Sequence, residues 1–350
     1  MIYCFVNIIQ GKDMKKRQLR NITVSEIGMG CMGFSHGYGD IPEESYSIDA
    51  IRKAIEYGCT FFDTAEAYGP NMLPENRGHN ERLLGKAISG IRKDIVIATK
   101  MHLSTEEAGN KGVYQTIKDH LIVSMKNLQT DYVDLYYLHR VNRDVPMEEV
   151  AGAMGRFIDE GLIRGWGLSQ VGVDTIKAVQ EVAPLSAVQN IYSMVERSSE
   201  EEVIPYCEEH NIGVVPFSPT ASGFLSGKVT DKTDFSHSDD VRKFVPQLSA
   251  GNIDGNQAVL NLVNEYAKAK NASMAQVSLA WMLHKYPNVV PIPGSKNQER
   301  ILENLGACAV SLTKGEFDRL DKLLNDIPVK GFRGHVEFQG DTMKEWGRKR

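Results

Sequence analysis

Residues 95–139, IVIATKMHLSTEEAGNKGVYQTIKDHLIVSMKNLQTDYVDLYYLH, hold one complete unit of a repeating grammar and decide the fold. Ile95–Thr99 is a short, β-branched run that reads as a strand. A polar loop follows, and then Val113, Ile117, Leu121, Val123, Met125 and Leu128 trace one helical face that bulges slightly from the ideal spacing. Tyr132–Leu138 is the next apolar run, so the unit is strand, loop, helix, strand.

The same alternation extends in both directions. Candidate strands are Glu26–Gly30, Thr60–Asp63, Ile163–Leu168, Ala187–Asn190, Gly213–Pro216 and Val289–Ile292. Candidate helices are Ser45–Glu56, Asn80–Ile88, Met147–Glu160, Asp174–Val182, Glu200–His210, Asn256–Lys270 and Gln298–Gly306. Eight alternating units without a break in composition predict one closed parallel (β/α)8 barrel over residues 17–326, with an open doubly wound sheet as the second choice. Residues 1–16 and 327–350 are expected to be tails. Ser218–Gly255, after the seventh strand, is too long and too rich in Ser, Asp and Gly for an ordinary connection and reads as a functional loop or lid. Phe317–Leu324 reads as an extra helix after the eighth unit.

Composition sets outer limits. The 350 residues are 42% hydrophobic and 24% charged, enough apolar material for a large core, which excludes wholesale disorder and a disulfide-stapled miniprotein. A net charge of −5 provides no bulk positive field for nucleic acid or anionic lipid. The basic clusters Lys15-Lys16-Arg17 and Arg348-Lys349-Arg350 lie at the two ends. No apolar run approaches the length of a membrane span. Residues 1–9 read as an upstream tail, with Met14 an alternative start. Five dispersed cysteines without a CxxC pair predict reduced thiols and a cytoplasmic location.

Three motifs tempt towards other chemistries. Gly28–Gly33 matches GxGxxG, but two further glycines and Pro42 follow where a dinucleotide fold would open a helix, so these glycines belong to a barrel mouth that can touch a cofactor. Tyr114…Lys118 and Tyr266…Lys270 match YxxxK but are ordinary i,i+4 helix neighbours. No histidine or cysteine grouping has metal-ligand spacing, and no metal is expected.

The working residues of such a barrel sit at the C-terminal ends of its strands. Asp63 ends the second strand and Tyr68 lies in its loop; Lys100 ends the third, and His139 the fourth. Together they fit proton donation to a carbonyl oxygen. A phenol with a pKa of about 10 is a poor acid at neutral pH and needs an adjacent cation. Lys100 supplies one, Asp63 holds Lys100, and His139 orients the carbonyl.

These residues lie in motifs that resemble the aldo-keto reductases: Gly58–Gly69, Asn80–Gly85, Thr99-Lys100, Leu138-His139-Arg140, Gly161–Ser169, Pro216–Pro219 and Ile292–Lys296, in the family's order. The resemblance implies NADPH-dependent reduction of a small-molecule carbonyl substrate, with Tyr68 as general acid, Lys100 and Asp63 tuning it, and His139 orienting the carbonyl. It also implies cofactor contacts at Gly30, Cys31, Met32 and Asp63, a nicotinamide clamp from Ser169, Gln170 and Gln189, and Phe217 beneath the ring. Ser218, Pro219, Thr220, Gly223, Leu225 and Lys228 would cover the pyrophosphate. Gly294, Lys296, Arg300, Glu303 and Asn304 would hold the adenosine end, with Lys296 and Arg300 suited to a 2′-phosphate. Gln170 stands where many relatives have Asn, and the loop 70–78 is longer than a minimal version. The alternative within the same resemblance is a nucleotide-binding redox sensor or regulatory subunit with little turnover, as the potassium-channel β-subunits suggest.

Overall fold

The computed structural model describes residues 14–333; the residues 1–13 and the basic cluster Arg348–Arg350 lie outside them. The chain begins with an antiparallel hairpin, β1 (Lys16–Leu19) and β2 (Ile22–Ser25), turning at Arg20 and Asn21, with Arg20 in the left-handed region at φ 55°. Seven parallel strands follow in sequence order: β3 (Met29–Gly30), β4 (Phe61–Asp63), β5 (Val96–Met101), β6 (Val133–Leu138), β7 (Ile163–Ser169), β8 (Ala187–Gln189) and β9 (Gly213–Val214).

The eighth predicted strand is present as a bridging segment, paired at Val214 with Val289 and at Gly30 with Gly294. Val290 and Ile292 donate to Val214 and Pro216 on one side, while Gly28 donates to the carbonyl of Pro291 on the other. Pro291 and Pro293 have no N–H to donate, so a continuous ladder towards β3 cannot form. The bridges nevertheless close the ring.

Side chains alternate across each strand. Phe61, Ala98, Leu135, Tyr137, Ala187, Val215, Val290 and Ile292 point inward and form the barrel interior. Leu19, Ile22 and Val24 of the hairpin join that cluster, and Leu19 lies against Gly213 at the start of β9, so the hairpin plugs the N-terminal mouth. The opposite mouth is left for function. Gly167 is required for this filling: a Cβ there would lie 2.4 Å from both the Ala187 carbonyl and the Tyr137 ring. Gly167→Ala should cost about 1–3 kcal/mol of stability, and an unchanged denaturant midpoint would show that the interior repacks freely.

Three helices go beyond the sequence reading: Thr105–Lys111, in the stretch read as a polar loop, Ala250–Gly255, in the expected lid, and Met274–Lys285. Met274–Lys285 is buried on nearly all sides, with Ala275, Val277, Ser278, Leu279, Ala280, Trp281 and Met282 all inside, so it has no polar face to reveal a period. Its local signal was the capping box, in which the Ser273 side chain accepts from Gln276 N and Gln276 accepts from Ser273 N. The expected extra helix runs Lys314–Asp326, opened by a capping box at Thr313 and Glu316.

The long segment after β9 is a chain of short turns followed by the helix Ala250–Gly255. It is clasped to the loop after β3: Gly37 N donates to Asp239 Oδ2 at 2.7 Å and Val241 N to the Gly37 carbonyl at 3.1 Å. Beyond Asp326 the chain returns to this segment, where Lys330 N donates to Asn256 and Gln247 N to the carbonyl of Phe332. No helix among the described residues is long and apolar enough to cross a membrane.

Candidate active site

Period-two alternation decides which side chains reach the C-terminal mouth. Two residues above Phe61 comes Asp63; above Ala98 comes Lys100; above Tyr137, His139; above Gly167, Ser169; above Ala187, Gln189; and above Val215, Phe217. The inward face that carries apolar packing lower down thus carries polar groups at its top, with Phe217 the exception among these six.

Lys100 is the centre of this rim. Its side chain is fully buried, and its ammonium donates to Asp63 Oδ1, to the Thr64 carbonyl at 2.6 Å and to the Tyr68 hydroxyl at 3.3 Å. Gln189 Nε2 donates to the other Asp63 oxygen at 2.8 Å, so both carboxylate oxygens are satisfied. Burial raises the Asp63 carboxyl against the pull of Lys100, but two donors make the carboxylate the form that this geometry fits. Burial by itself would lower the Lys100 ammonium; Asp63 and the Tyr68 oxygen outweigh it and hold Lys100 above its ordinary value.

Tyr68 and His139 complete the set, their rings edge to face with centroids 5.8 Å apart. Desolvation raises the Tyr68 phenol above its ordinary value, against the lowering by Lys100. The expected acidifying cation is therefore adjacent, yet its charge is offset by Asp63 and outweighed by burial, and the phenol stays protonated at neutral pH. Burial, helped by Arg140 and Lys100, pushes the His139 imidazole far below its usual range, so it is neutral. Its Nδ1 is buried without a hydrogen-bond partner among the described residues.

The residues expected at a cofactor divide into those left open and those already engaged. Ser169 Oγ donates to the Gln189 carbonyl at 3.0 Å and accepts from Arg140 at 3.0 Å. Gln170 sits in the left-handed region at φ 59°, and its Oε1 accepts from Ile191 N at 3.1 Å, so its amide oxygen braces a turn. Phe217 packs at the upper edge of the barrel interior. Cys31 N donates to the Asp63 carbonyl, and the loop through Met32 starts there. Gly30 and Gly294 touch backbone to backbone, and a Cβ on Gly30 would lie 2.9 Å from the Ile292 carbonyl.

The loop Ser218, Pro219, Thr220 to Gly223 is wound tightly, with Ser218, Ala221, Ser222 and Gly223 all in the left-handed region. Thr220 accepts through its carbonyl from the N–H groups of Gly223 and Leu225. Lys228 Nζ lies 3.1 Å from Glu303 Oε2, tying this loop to the helix Gln298–Leu305, on which Asn304 is buried. That helix is capped by Asn297, which accepts from Arg300 N. Lys296 is engaged too, its ammonium donating to the Tyr38 carbonyl at 2.9 Å and to that of Asp40.

Four further residues belong to this mouth. The His36 ring lies 5.3 Å from that of Tyr68, and the His102 ring 4.5 Å from that of His139. His102 is pushed down to about 4 by burial and by Arg140. Arg333 is buried and donates through Nε to Ser218 Oγ at 3.0 Å, bringing the returning C-terminal segment onto the glycine-rich loop. Only Arg140, next to His139, had a local signal; the others depend on loops whose paths are set by tertiary contacts.

A family model described as the aldo/keto reductase family matches residues 26–325. The Glycine max protein named Probable aldo-keto reductase 1 is 35% identical over 328 residues, covering 92% of this chain and 91% of its own length. Among solved structures, an aldo/keto reductase from Klebsiella pneumoniae in complex with NADP and acetate is 27% identical, with a TM-score of 0.68, covering 91% of this chain and 99% of that one. The holo form of an aldo-keto reductase from Bacillus halodurans is also 27% identical, with a TM-score of 0.69, covering 93% of this chain and 99% of that one.

Proposed function

Because this chain belongs to the aldo/keto reductase family, we propose that it reduces aldehydes or ketones to alcohols with NADPH, Tyr68 serving as the general acid. The observation that carries this reading is the buried Lys100 ammonium, which holds the Asp63 carboxylate and the Tyr68 hydroxyl at once. NADPH, when bound, supplies a hydride to the carbonyl carbon.

The chain's own residues supply the proton. As negative charge develops on the carbonyl oxygen, Tyr68 passes its hydroxyl proton to it, and the phenolate left behind is stabilised by Lys100 at 3.3 Å. A phenol held protonated by burial is a poor acid at rest. Transfer therefore depends on the oxyanion as acceptor and on the cation already in place. His139, being neutral, keeps one ring N–H to donate to the same oxygen and fixes its position beside Tyr68.

The mouth fits the cofactor. Gly30 and Gly294 let the first and last strand ends meet backbone to backbone beneath the site. Ser222 Oγ is buried without a partner among the described residues, which leaves a hydroxyl for a bound group in the tightly wound loop. Phe217 would lie beneath the nicotinamide, with Ser169 and Gln189 beside it. Lys296 and Arg300 would bind the 2′-phosphate at the start of the helix Gln298–Leu305. Three buried free thiols, Cys31, Cys59 and Cys207, support a reducing, cytoplasmic setting.

The test is carbonyl-dependent oxidation of NADPH with a panel of aldehydes and ketones; tight nucleotide binding without such turnover would favour a sensor. Cofactor choice makes a separate prediction. Lys296→Ala combined with Arg300→Ala should weaken NADPH roughly tenfold to a hundredfold and leave NADH within about twofold, read by titration. Equal losses for both nucleotides would remove the phosphate assignment.

A further inference from the structure

Among the described residues, His36 is the one ring packed on Tyr68 that the scheme above leaves unused. Its side chain is 7% exposed, and Nε2 is buried with no hydrogen-bond partner among the described residues. An unpaired buried imidazole nitrogen costs stability, so its presence beside the reacting phenol calls for a ligand atom.

The loop that carries the ring is also held. His36 N donates to the Met32 carbonyl at 3.1 Å. On one side Ser35 Oγ accepts from Asn80 and bonds His79 Nδ1 at 2.9 Å; Asn80 also donates to the Cys31 carbonyl and accepts from Thr64 Oγ1. On the other side, Asp239 accepts from Gly37 N. Helix and lid together therefore fix the loop that presents His36.

Resting on the reduction reading, we propose that His36 is a specificity-determining residue whose Nε2 hydrogen-bonds an oxygen on the carbon next to the reacting carbonyl, making 2-hydroxyaldehydes and 2-hydroxyketones the preferred substrates. The ring contact carries the assignment: the His36 and Tyr68 centroids lie 5.3 Å apart, so a carbonyl compound held at Tyr68 has the unpartnered imidazole as its neighbour. A hydroxyl pairs with either tautomer, because it both donates and accepts. Burial keeps His36 neutral, and Asp239 faces it, so an uncharged hydroxyl suits the site better than a carboxylate. An unsubstituted alkyl chain would leave the nitrogen unpaired, and a site built for a hydroxyl discriminates against the analogue that lacks it.

The test compares lactaldehyde with propanal, which have the same carbon chain with and without the 2-hydroxyl. The wild type should prefer lactaldehyde in kcat/KM by roughly tenfold to a hundredfold. His36→Leu should lose most of that preference through lactaldehyde alone, with propanal turnover and NADPH affinity within about twofold, and His36→Gln should restore part of it. A preference that survives in His36→Leu, or equal losses for both aldehydes, overturns the role of His36 only. Turnover of neither aldehyde, or of any other carbonyl, by the wild type overturns the reduction reading and this inference with it.

Discussion

Tyr68→Phe lowers the rate of carbonyl reduction by roughly 10²–10⁴-fold while leaving NADPH affinity within about twofold. The substitution is unusually clean here. The ring keeps its contacts with His36 and His139, so the mouth keeps its shape, and only the hydroxyl bonded to Lys100 is lost. Without it no group at that position can donate a proton to the developing oxyanion. Single-turnover oxidation of bound NADPH isolates the chemical step, and a variant that retains the wild-type rate there removes Tyr68 from the role of acid.

Lys100→Met should abolish turnover and also destabilise the barrel by about 3–5 kcal/mol, because it leaves the Asp63 carboxylate buried with Gln189 as its only side-chain donor among the described residues. The thermal midpoint should fall on the order of 10 °C. Adding Asp63→Asn removes the stranded charge, and the amide oxygen can still accept from Gln189. The double variant should therefore regain much of the stability and none of the activity. A Lys100→Met protein as stable as the wild type would mean that Asp63 is not held as a carboxylate. A fully active one would mean that Tyr68 needs no cation.

These two experiments separate what one lysine does twice. The same ammonium that neutralises a buried acid is the cation on which a phenolate would rest. Its fully buried position gives both interactions weight that a surface lysine would lack.

Much of this arrangement was legible along the chain. Strand ends at Asp63, Lys100 and His139 follow from short β-branched runs, and alternation places all three on the inner face once those runs are strands. Register is a local property, with period two, and the motifs that carry the family resemblance occupy the same strand ends. The hairpin Lys16–Ser25 and the helix Met274–Lys285 escaped this kind of reading for opposite reasons. The hairpin is short, and its inward residues are justified only by the barrel they plug. The helix is apolar on nearly every side, so periodicity cannot mark it.

The sequence by itself determined the barrel, its strand ends and the placing of Asp63, Tyr68, Lys100 and His139 at one mouth, because each follows from its position within its own strand and loop unit. Tertiary structure alone decided their electrical state. The phenol is raised, Lys100 is saturated by three oxygen partners, Gln189 turns to Asp63, and Lys296 is tied to the loop after β3. It also decided which silent residues reach the mouth, with His36 and Arg333 arriving on loops fixed by contacts far away in sequence. Burial and charge pairing depend on which segments meet in space, and no local pattern records that meeting.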